Sequence, residues 1–240
     1  MTLSRRRIGA IVRKELRTYQ RNRSIVVGMS IIPLVFLAQP LVAVFATSSP
    51  AAALLRDNHE LLYMLGIPAL VPATLAAYAI VGEREQGTLE PVLSTPISRH
   101  ELLLGKALAV FVPSVAVAYI VFAVFIATVS LFAQAGVAPA LIRGPDVLAQ
   151  VIFTPLIAGW SIWIGIAIST RVSDVRVAQQ LGALASLPMI ALTTLIATNV
   201  IHATSALAFG LAAALLVANR LGWRLVSALF DRERLIARTK

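Results

Sequence analysis

Six long apolar stretches without a single charged side chain constrain this chain more than any other feature. They lie at about 25–46, 61–82, 107–133, 147–170, 177–198 and 203–219. Each has about 17 residues or more, which is enough for a helix to cross a hydrocarbon core of roughly 30 Å. We therefore expect an all-α integral membrane protein with six transmembrane helices.

The composition agrees with a membrane protein and excludes several other classes. Hydrophobic residues make up 58% of the chain and charged residues only 13%, which is too apolar for an ordinary soluble domain. The net charge of +10 comes from basic residues between the apolar stretches, so anionic lipid headgroups, and not nucleic acid, are the expected counter-charge. The absence of cysteine excludes disulfides and cysteine metal sites.

The positions of lysine and arginine predict the orientation. Eight precede the first stretch, three lie between the second and third, two lie between the fourth and fifth, and six follow the last. Only Arg56 and Arg143 fall on the other side. The positive-inside rule then places both termini in the cytoplasm, in an inner or plasma membrane. A five-span alternative arises because no charge separates the last two stretches, but it would leave six basic residues outside.

Both ends of the chain have the pattern of helices that lie on a membrane surface. Within 5–23, apolar residues recur at helical spacing among arginines and lysines. These apolar residues are Ile8, Ile11, Val12, Leu16 and Tyr19. The tail, 220–240, repeats the pattern more loosely, and either end could instead be a simple basic anchor. The N-terminus is too charged for a signal peptide. We expect a single domain over 1–240, comprising the interfacial helix 1–24, the six-span bundle 25–219 and the tail.

The apolar stretches also lack the residues on which several functions depend. A proton- or cation-coupled transporter usually needs an ionisable side chain near the membrane midplane, and none of the six stretches has an acidic residue, a lysine or an arginine. The chain contains no G-x-S-x-G, H-E-x-x-H or G-x-x-x-x-G-K-[ST] motif, and its three histidines lie in different loops. We therefore expect neither an enzyme, a metal site nor an ATP-binding site. Prolines in the first five stretches are compatible with hinges, but also with their ordinary frequency in membrane helices.

The loop between the second and third stretches gathers charge in an otherwise apolar region. Gly87 suits the left-handed conformation that ends a helix, and Thr88 could cap a short helix that follows. In that helix, Leu89, Val92 and Leu93 share one apolar face. A short cytoplasmic helix with one apolar face has little of its own chain to pack against, so it needs a partner.

The second half of this loop contains a helix-start signal. Ser98 and Glu101 form the capping-box pattern before the third apolar stretch, which makes Glu101 structural. Lys106 is expected to extend to the inner headgroups. Three glutamates have no evident local partner, and they either form a solvated loop surface or bind another protein. These are Glu83, Glu85 and Glu90.

The loop resembles a known family over a long ordered pattern, E-R-E-x-G-T-L-E-x-x-L-x-T-P-I-S-R-x-E-x-x-x-G-K, which begins at Glu83 and ends at Lys106. This pattern is similar to that of the permease of ABC-2 type ABC transporters. The layout agrees, with a basic interfacial helix, six spans and both ends inside. The link around 199–203 is shorter than the external segment of many members, and the outer loops at 47–60 and 134–146 are brief.

The resemblance implies a permease that binds no cofactor itself and works with a separate cytoplasmic ATPase, present in two copies, which uses ATP and Mg²⁺. A second permease copy or a homologue completes the complex. The loop would hold the coupling helix that transmits ATPase closure to the spans. The residues assigned to this coupling are Glu83, Glu85, Gly87, Thr88, Leu89, Glu90, Val92, Leu93 and Pro96.

The expected function is therefore ATP-driven transport, with export favoured over import. Helices without charge favour a hydrophobic or amphipathic substrate, such as a drug-like molecule or a lipid, that crosses by alternating access. The alternatives are a stand-alone six-span channel or secondary transporter, and a membrane enzyme or scaffold. Dependence on an ATPase subunit discriminates among them.

Overall fold

A computed structural model describes residues 4–46, 58–87, 97–134 and 136–229, apart from the side chain of Ser24. All regular structure in these ranges is helical. The elements are α1 (Arg5–Arg21), α2 (Arg23–Ala46), a 3₁₀ helix (Glu60–Leu65), α3 (Gly66–Glu85), α4 (Arg99–Phe132), α5 (Val137–Leu141), α6 (Gly144–Ser169), α7 (Val175–Ala197) and α8 (Ser205–Leu229).

Six segments are long and apolar enough to cross a membrane, which confirms the predicted number. They are Ile25–Ala46, Glu60–Glu85, Arg99–Phe132, Gly144–Ser169, Val175–Ala197 and Ser205–Leu229. The last two are separate helices, because the chain turns at Asn199, which has a φ of +56°. This turn favours six spans over five.

Helix α3 forms the centre of the bundle. In the membrane-spanning segment Glu60–Glu85, which comprises the 3₁₀ helix and α3, 89% of the most apolar part is buried, against 11% for α8. Small residues allow its neighbours to approach closely. A Cβ atom on Gly165 of α6 would lie 2.6 Å from the carbonyl oxygen of Ala73, and one on Gly182 of α7 would lie 3.0 Å from the same atom. Such close backbone approach is the usual way in which membrane helices gain packing energy.

The outer helices α2, α4 and α8 expose many large apolar side chains. Leu131, Phe132 and Phe209 are all at least 70% exposed. In a soluble protein these surfaces would be a solvation penalty, whereas in a bilayer they contact lipid tails. Helix α8 is held on α6 by Asn219, whose side-chain amide donates to the Leu156 carbonyl at 2.9 Å and accepts from the Trp163 indole at 3.2 Å.

The two ends of the chain compare differently with the sequence predictions. Helix α1 is the predicted amphipathic helix, and its buried face, with Ile11 and Tyr19, packs in the protein core along the first turns of α4. The predicted start of the tail at residue 220 is wrong, since α8 continues without a break through Arg220 and Arg224 to Leu229. Backbone hydrogen bonding continues this helix past its last apolar stretch.

Candidate functional site

Four charged side chains meet where α1, α3 and α4 come together. Lys106 of α4 is fully buried, and its ammonium lies 3.1 Å from the Glu15 carboxylate and 2.8 Å from that of Glu83. It also donates to the Ala79 carbonyl at 2.7 Å. Lys14 contacts the same two carboxylates from the surface. We call Lys14, Glu15, Glu83 and Lys106 the ion network.

The ion network balances its charges, which is why it can be buried. Two ammonium groups face two carboxylates, so no net charge has to leave water. Glu15 and Glu83 are only 3% and 6% exposed. Removing one member of such a network typically costs about 3–5 kcal/mol, because the remaining charge is left buried without a partner. The ion network therefore holds three helices in a fixed relation.

Lys14 is the member of the ion network nearest to solvent, and its environment favours the charged form. Burial by itself would lower the pKa of its ammonium, but the negative charges of Glu15 and Glu83 more than offset this effect, so the pKa is raised. Tyr19 lies nearby on α1. Burial, with added effects from Glu15 and Glu83, raises the pKa of its phenol well above the usual value, so it stays neutral.

The start of α4 is tied to the start of α1 through Glu101. Its carboxylate accepts from the Ser98 amide at 2.9 Å while Ser98 Oγ accepts from the Glu101 amide at 3.2 Å, which is the capping box that the sequence pattern predicts. The other oxygen of Glu101, Oε1, accepts from the Ser4 amide at 2.8 Å, and the Arg7 guanidinium lies 3.5 Å from Oε2, the oxygen that binds Ser98. Glu101 thus closes one helix end and fastens a second.

The end of α3 is anchored on the connection between α6 and α7. Arg84 donates to the Val172 carbonyl at 2.9 Å, and the Glu85 carboxylate accepts from the Val175 amide at 2.9 Å. Gly87 follows with a φ of +66°, the left-handed conformation expected of it. Both ends of the segment 88–96 are therefore held by contacts with other helices.

Several sequence expectations for this region need correction. Glu83 and Glu85 do have local partners, because folding brings α1 and the start of α7 to the end of α3. Lys106 does not extend to headgroups, since its side chain is fully buried beside two carboxylates. The remaining predicted coupling residues lie outside the described residues. They are Thr88, Leu89, Glu90, Val92, Leu93 and Pro96.

Sequence reasoning missed Glu15, although a signal was present. The residues of α1 that are buried occur at 8, 11, 15 and 19, so Glu15 sits within the apolar stripe of that helix. A glutamate in such a position requires a buried cation. Lys106, the one basic residue near the start of the third apolar stretch, was the available partner.

A second charged cluster lies at the opposite end of the bundle. His59 Nδ1 lies 2.7 Å from one Asp146 oxygen, and the Arg143 guanidinium lies 2.7 Å from the other. Arg143 also lies 2.8 Å from His59 Nδ1 and donates to the Asn58 carbonyl at 2.9 Å. The His59 amide donates to the Ala197 carbonyl at 2.8 Å, which ties this cluster to α7. We call His59, Arg143 and Asp146 the opposite cluster.

The opposite cluster borders an apolar cavity of about 240 Å³ between the 3₁₀ helix, α6, α7 and α8. Leucine, isoleucine, phenylalanine and methionine form most of its wall, with His59 and Asp146 at one side. The uncharged stretches thus form most of this wall, and the two charged side chains come from residues just outside them. Asp146 lies in the first turn of α6, next to Pro145 and just before the apolar residues of that helix, and the fold brings it to His59.

Within the described ranges, no group of three or more histidine, aspartate or glutamate side chains is arranged to hold a metal ion. The side chains of the ion network and of the opposite cluster are paired with one another or with backbone atoms. Their arrangement fixes helices relative to one another, and the opposite cluster lies beside an apolar cavity.

Comparison with known proteins identifies the family. The family model described as ABC-2 family transporter protein matches residues 9–229. The chain belongs to the ABC-2 transporter family. Comparison with curated proteins gave no match. The matched range begins within α1 and ends at the last residue of α8, so it includes both charged clusters.

Membership makes this ABC-2 protein a multi-pass transmembrane permease of the ABC transporter class. Such permeases have no ATPase site of their own and generally work with a separate ABC ATPase. In such a complex, a conformational change in the ATPase has to be transmitted to the helices of the permease.

Proposed function

We propose that this ABC-2 permease is the transmembrane subunit of an ATP-driven exporter. Two permeases, either identical or homologous, assemble with two copies of a cytoplasmic ATPase, which binds ATP and Mg²⁺. Both termini and the segment 88–96 face the cytoplasm. A hydrophobic or amphipathic substrate crosses by alternating access between inward- and outward-facing states.

The observation that carries this proposal is the anchoring of both sides of 88–96. Glu83 precedes the segment and is paired with Lys14 and Lys106, while Glu101 follows it and binds the Ser4 amide. A force on the segment is thereby delivered to α1, α3 and α4 together. A loop without a mechanical role has no need of such anchoring on both sides.

Coupling then divides between two groups of residues. Leu89, Val92 and Leu93 supply the apolar face that docks on the ATPase, with Glu90 beside it. Glu83 acts inside the protein, because its carboxylate is buried against two lysines and is not available to a partner. Glu85 positions the start of α7 through the Val175 amide. ATPase closure therefore reaches α7 as well as α3 and α4.

The apolar cavity beside the opposite cluster supports a hydrophobic or amphipathic substrate. Its wall offers apolar contact, and His59 and Asp146 offer a place for one polar group. Ala149→Phe would fill this space, whereas Leu148→Phe changes a neighbouring side chain that is 59% exposed. We expect the first to abolish efflux of a lipophilic dye from loaded vesicles and the second to leave it intact.

Co-purification tests the central proposal. The tagged chain is extracted from its native membrane in mild detergent, and the eluate is assayed for bound proteins and for vanadate-sensitive ATP hydrolysis. We expect an ATPase subunit in equal amount. Leu89→Arg should abolish its recovery, whereas Val200→Arg, at an exposed site in the opposite turn, should preserve it.

Two results would overturn the proposal. Recovery of the ATPase with Leu89→Arg at the wild-type level would remove the segment 88–96 from the docking surface. Transport by the purified chain alone, without nucleotide, would instead establish the stand-alone channel or secondary transporter.

A further inference from the structure

A groove with a basic rim runs between α1 and the first turns of α4, on the side of α1 away from the ion network. It is open and has a volume of about 690 Å³. Ile8, Val12 and Leu16 of α1 face Leu104 and Leu108 of α4 across its floor. These residues recur every four positions, so each helix contributes a continuous apolar ridge.

Three arginines line this groove. Arg5, Arg13 and Arg17 are exposed, and none of them forms an ion pair with any residue that the structure describes. The basic residues on the other side of α1 behave differently, since Arg7 is paired with Glu101 and Lys14 with Glu83. Two basic residues on the side of α1 away from the groove are thus paired within the protein, whereas the three arginines of the groove have no ion-pair partner among the described residues.

The groove is also open beside Gly9 and along α4. A Cβ atom on Gly9, which lies between Arg5 and Arg13, would meet no other atom within 4 Å. Its apolar floor continues onto α4, one of the membrane-spanning helices, whose outward residues such as Val112 are exposed. An occupant can therefore have an anionic end near α1 and an apolar end along α4.

We propose that this groove binds one anionic phospholipid of the inner leaflet. The phosphate lies against Arg13 and Arg17, which are one turn apart on α1, and an acyl chain lies over Leu104 and Leu108. Arg5 lies about 12 Å further along α1 and adds to the positive charge of the groove. Charge complementarity selects an anionic headgroup, because three cations without an ion-pair partner in the described part of the chain border an apolar surface. A soluble anion would leave that apolar surface uncovered, whereas a phospholipid covers it. The inference rests on the cytoplasmic placement of α1 in the proposed function.

Bound lipid would connect the bilayer to the coupling region. Helix α1 carries the groove on one side and Lys14 and Glu15 on the other, so an occupant that stabilises α1 against α4 also stabilises the ion network. The activity of the complex should then depend on the anionic lipid content of the membrane.

Native mass spectrometry of the purified chain, with added dioleoylphosphatidylglycerol or dioleoylphosphatidylcholine, tests this proposal. We expect one retained phosphatidylglycerol and no comparable phosphatidylcholine adduct. The triple variant Arg5→Gln, Arg13→Gln and Arg17→Gln should weaken phosphatidylglycerol binding by about a hundredfold, given the usual contribution of a basic residue near an anionic surface.

A matched triple variant separates a site from general attraction. Arg6→Gln, Arg21→Gln and Arg23→Gln removes the same charge from exposed positions that do not line the groove. We expect it to keep phosphatidylglycerol binding within about twofold of wild type, since these residues lie outside the site. Equal loss in both triple variants, or equal binding of the two lipids, would overturn the proposal.

Gly9→Trp tests the apolar half without changing charge. The tryptophan side chain occupies the open space beside Gly9, so the retained lipid should be lost while the helix content of the protein is kept. Unchanged phosphatidylglycerol binding by this variant would contradict an acyl chain in the groove.

If the triple variant of Arg5, Arg13 and Arg17 kept its lipid but lost the ATPase in co-purification, the occupant of the groove would be the ATPase. Because lipid binding is measured without ATPase, the two proposals fail independently.

Discussion

The two charged clusters sit at opposite ends of the bundle and differ in how completely they are enclosed. In the ion network, Lys106 is fully buried and both carboxylates are nearly so. In the opposite cluster, the side chains of His59 and Arg143 are 16% and 26% exposed, and an apolar cavity adjoins them. Enclosure increases the cost of breaking a charge pair. The first cluster is therefore suited to holding helices together, and the second to opening or to contact with a ligand.

The largest effect should follow the loss of Lys106. Lys106→Met keeps a long aliphatic side chain but removes the ammonium group. Lys14 is then the one cation of the ion network that remains beside two buried carboxylates. We expect a loss of about 3–5 kcal/mol in the free energy of unfolding. Thermal unfolding of the purified protein in detergent measures it, with Lys14→Met as the more exposed control. An equal effect of the two variants would contradict a special role for the buried lysine.

Charge compensation should recover much of that loss. In the double variant Lys106→Met with Glu15→Gln, Lys14 and Glu83 remain as a balanced pair. We expect at least about half of the lost free energy of unfolding to be recovered. In a double-mutant cycle, this recovery appears as a coupling energy of about 1–3 kcal/mol between positions 106 and 15. A double-mutant cycle provides the measurement. Additive losses would mean that Lys106 acts through packing and not through its charge.

A smaller effect is expected in the opposite cluster. Asp146→Asn removes the negative charge between His59 and Arg143 but keeps a polar side chain of the same size. Because Arg143 can still reach water and the Asn58 carbonyl, we expect a loss of about 1–2 kcal/mol. The same unfolding assay applies. A loss as large as that of Lys106→Met would abolish the distinction between the clusters.

The smallest effect concerns pH at the exposed edge of the ion network. The pKa of Lys14 is raised from 10.5, so its contribution is complete below that ordinary value and declines only as pH rises through the higher folded value. The stability difference between wild type and Lys14→Met should therefore stay constant from about pH 7 to about pH 9. A difference that decreases over that interval would show that Lys14 loses its proton there.

The sequence predicted the helices far better than it predicted the site. Uncharged stretches long enough to span a membrane appear directly in the chain, and all six were found. The capping box at Ser98 and Glu101 and the left-handed Gly87 are also local patterns. Helix limits were less certain, because α4 begins at Arg99 and α8 ends at Leu229, both well outside the apolar stretches. Backbone hydrogen bonding continues a helix past the point where its side chains stop being apolar.

The charged residues were interpreted wrongly wherever their partners lie far away in the chain. Glu83 was assigned to an external partner and Lys106 to lipid headgroups, but each is paired inside the protein. Their contacts join residues that are 69 and 91 positions apart, Lys14 with Glu83 and Glu15 with Lys106. The residues next to each side chain in the sequence carry no information about contacts across such sequence separations.

By itself, then, the sequence determined the class of protein, the number of spans and the charged segment between the second and third, because hydrophobic length and helix capping depend on consecutive residues. Only the tertiary structure decided which charges are buried and which arginines of α1 have no ion-pair partner among the residues that the structure describes. The physical reason is that burial of a charged side chain depends on which face of a neighbouring helix packs against it. That face is set by packing around α3 and not by the neighbours of the residue in the chain.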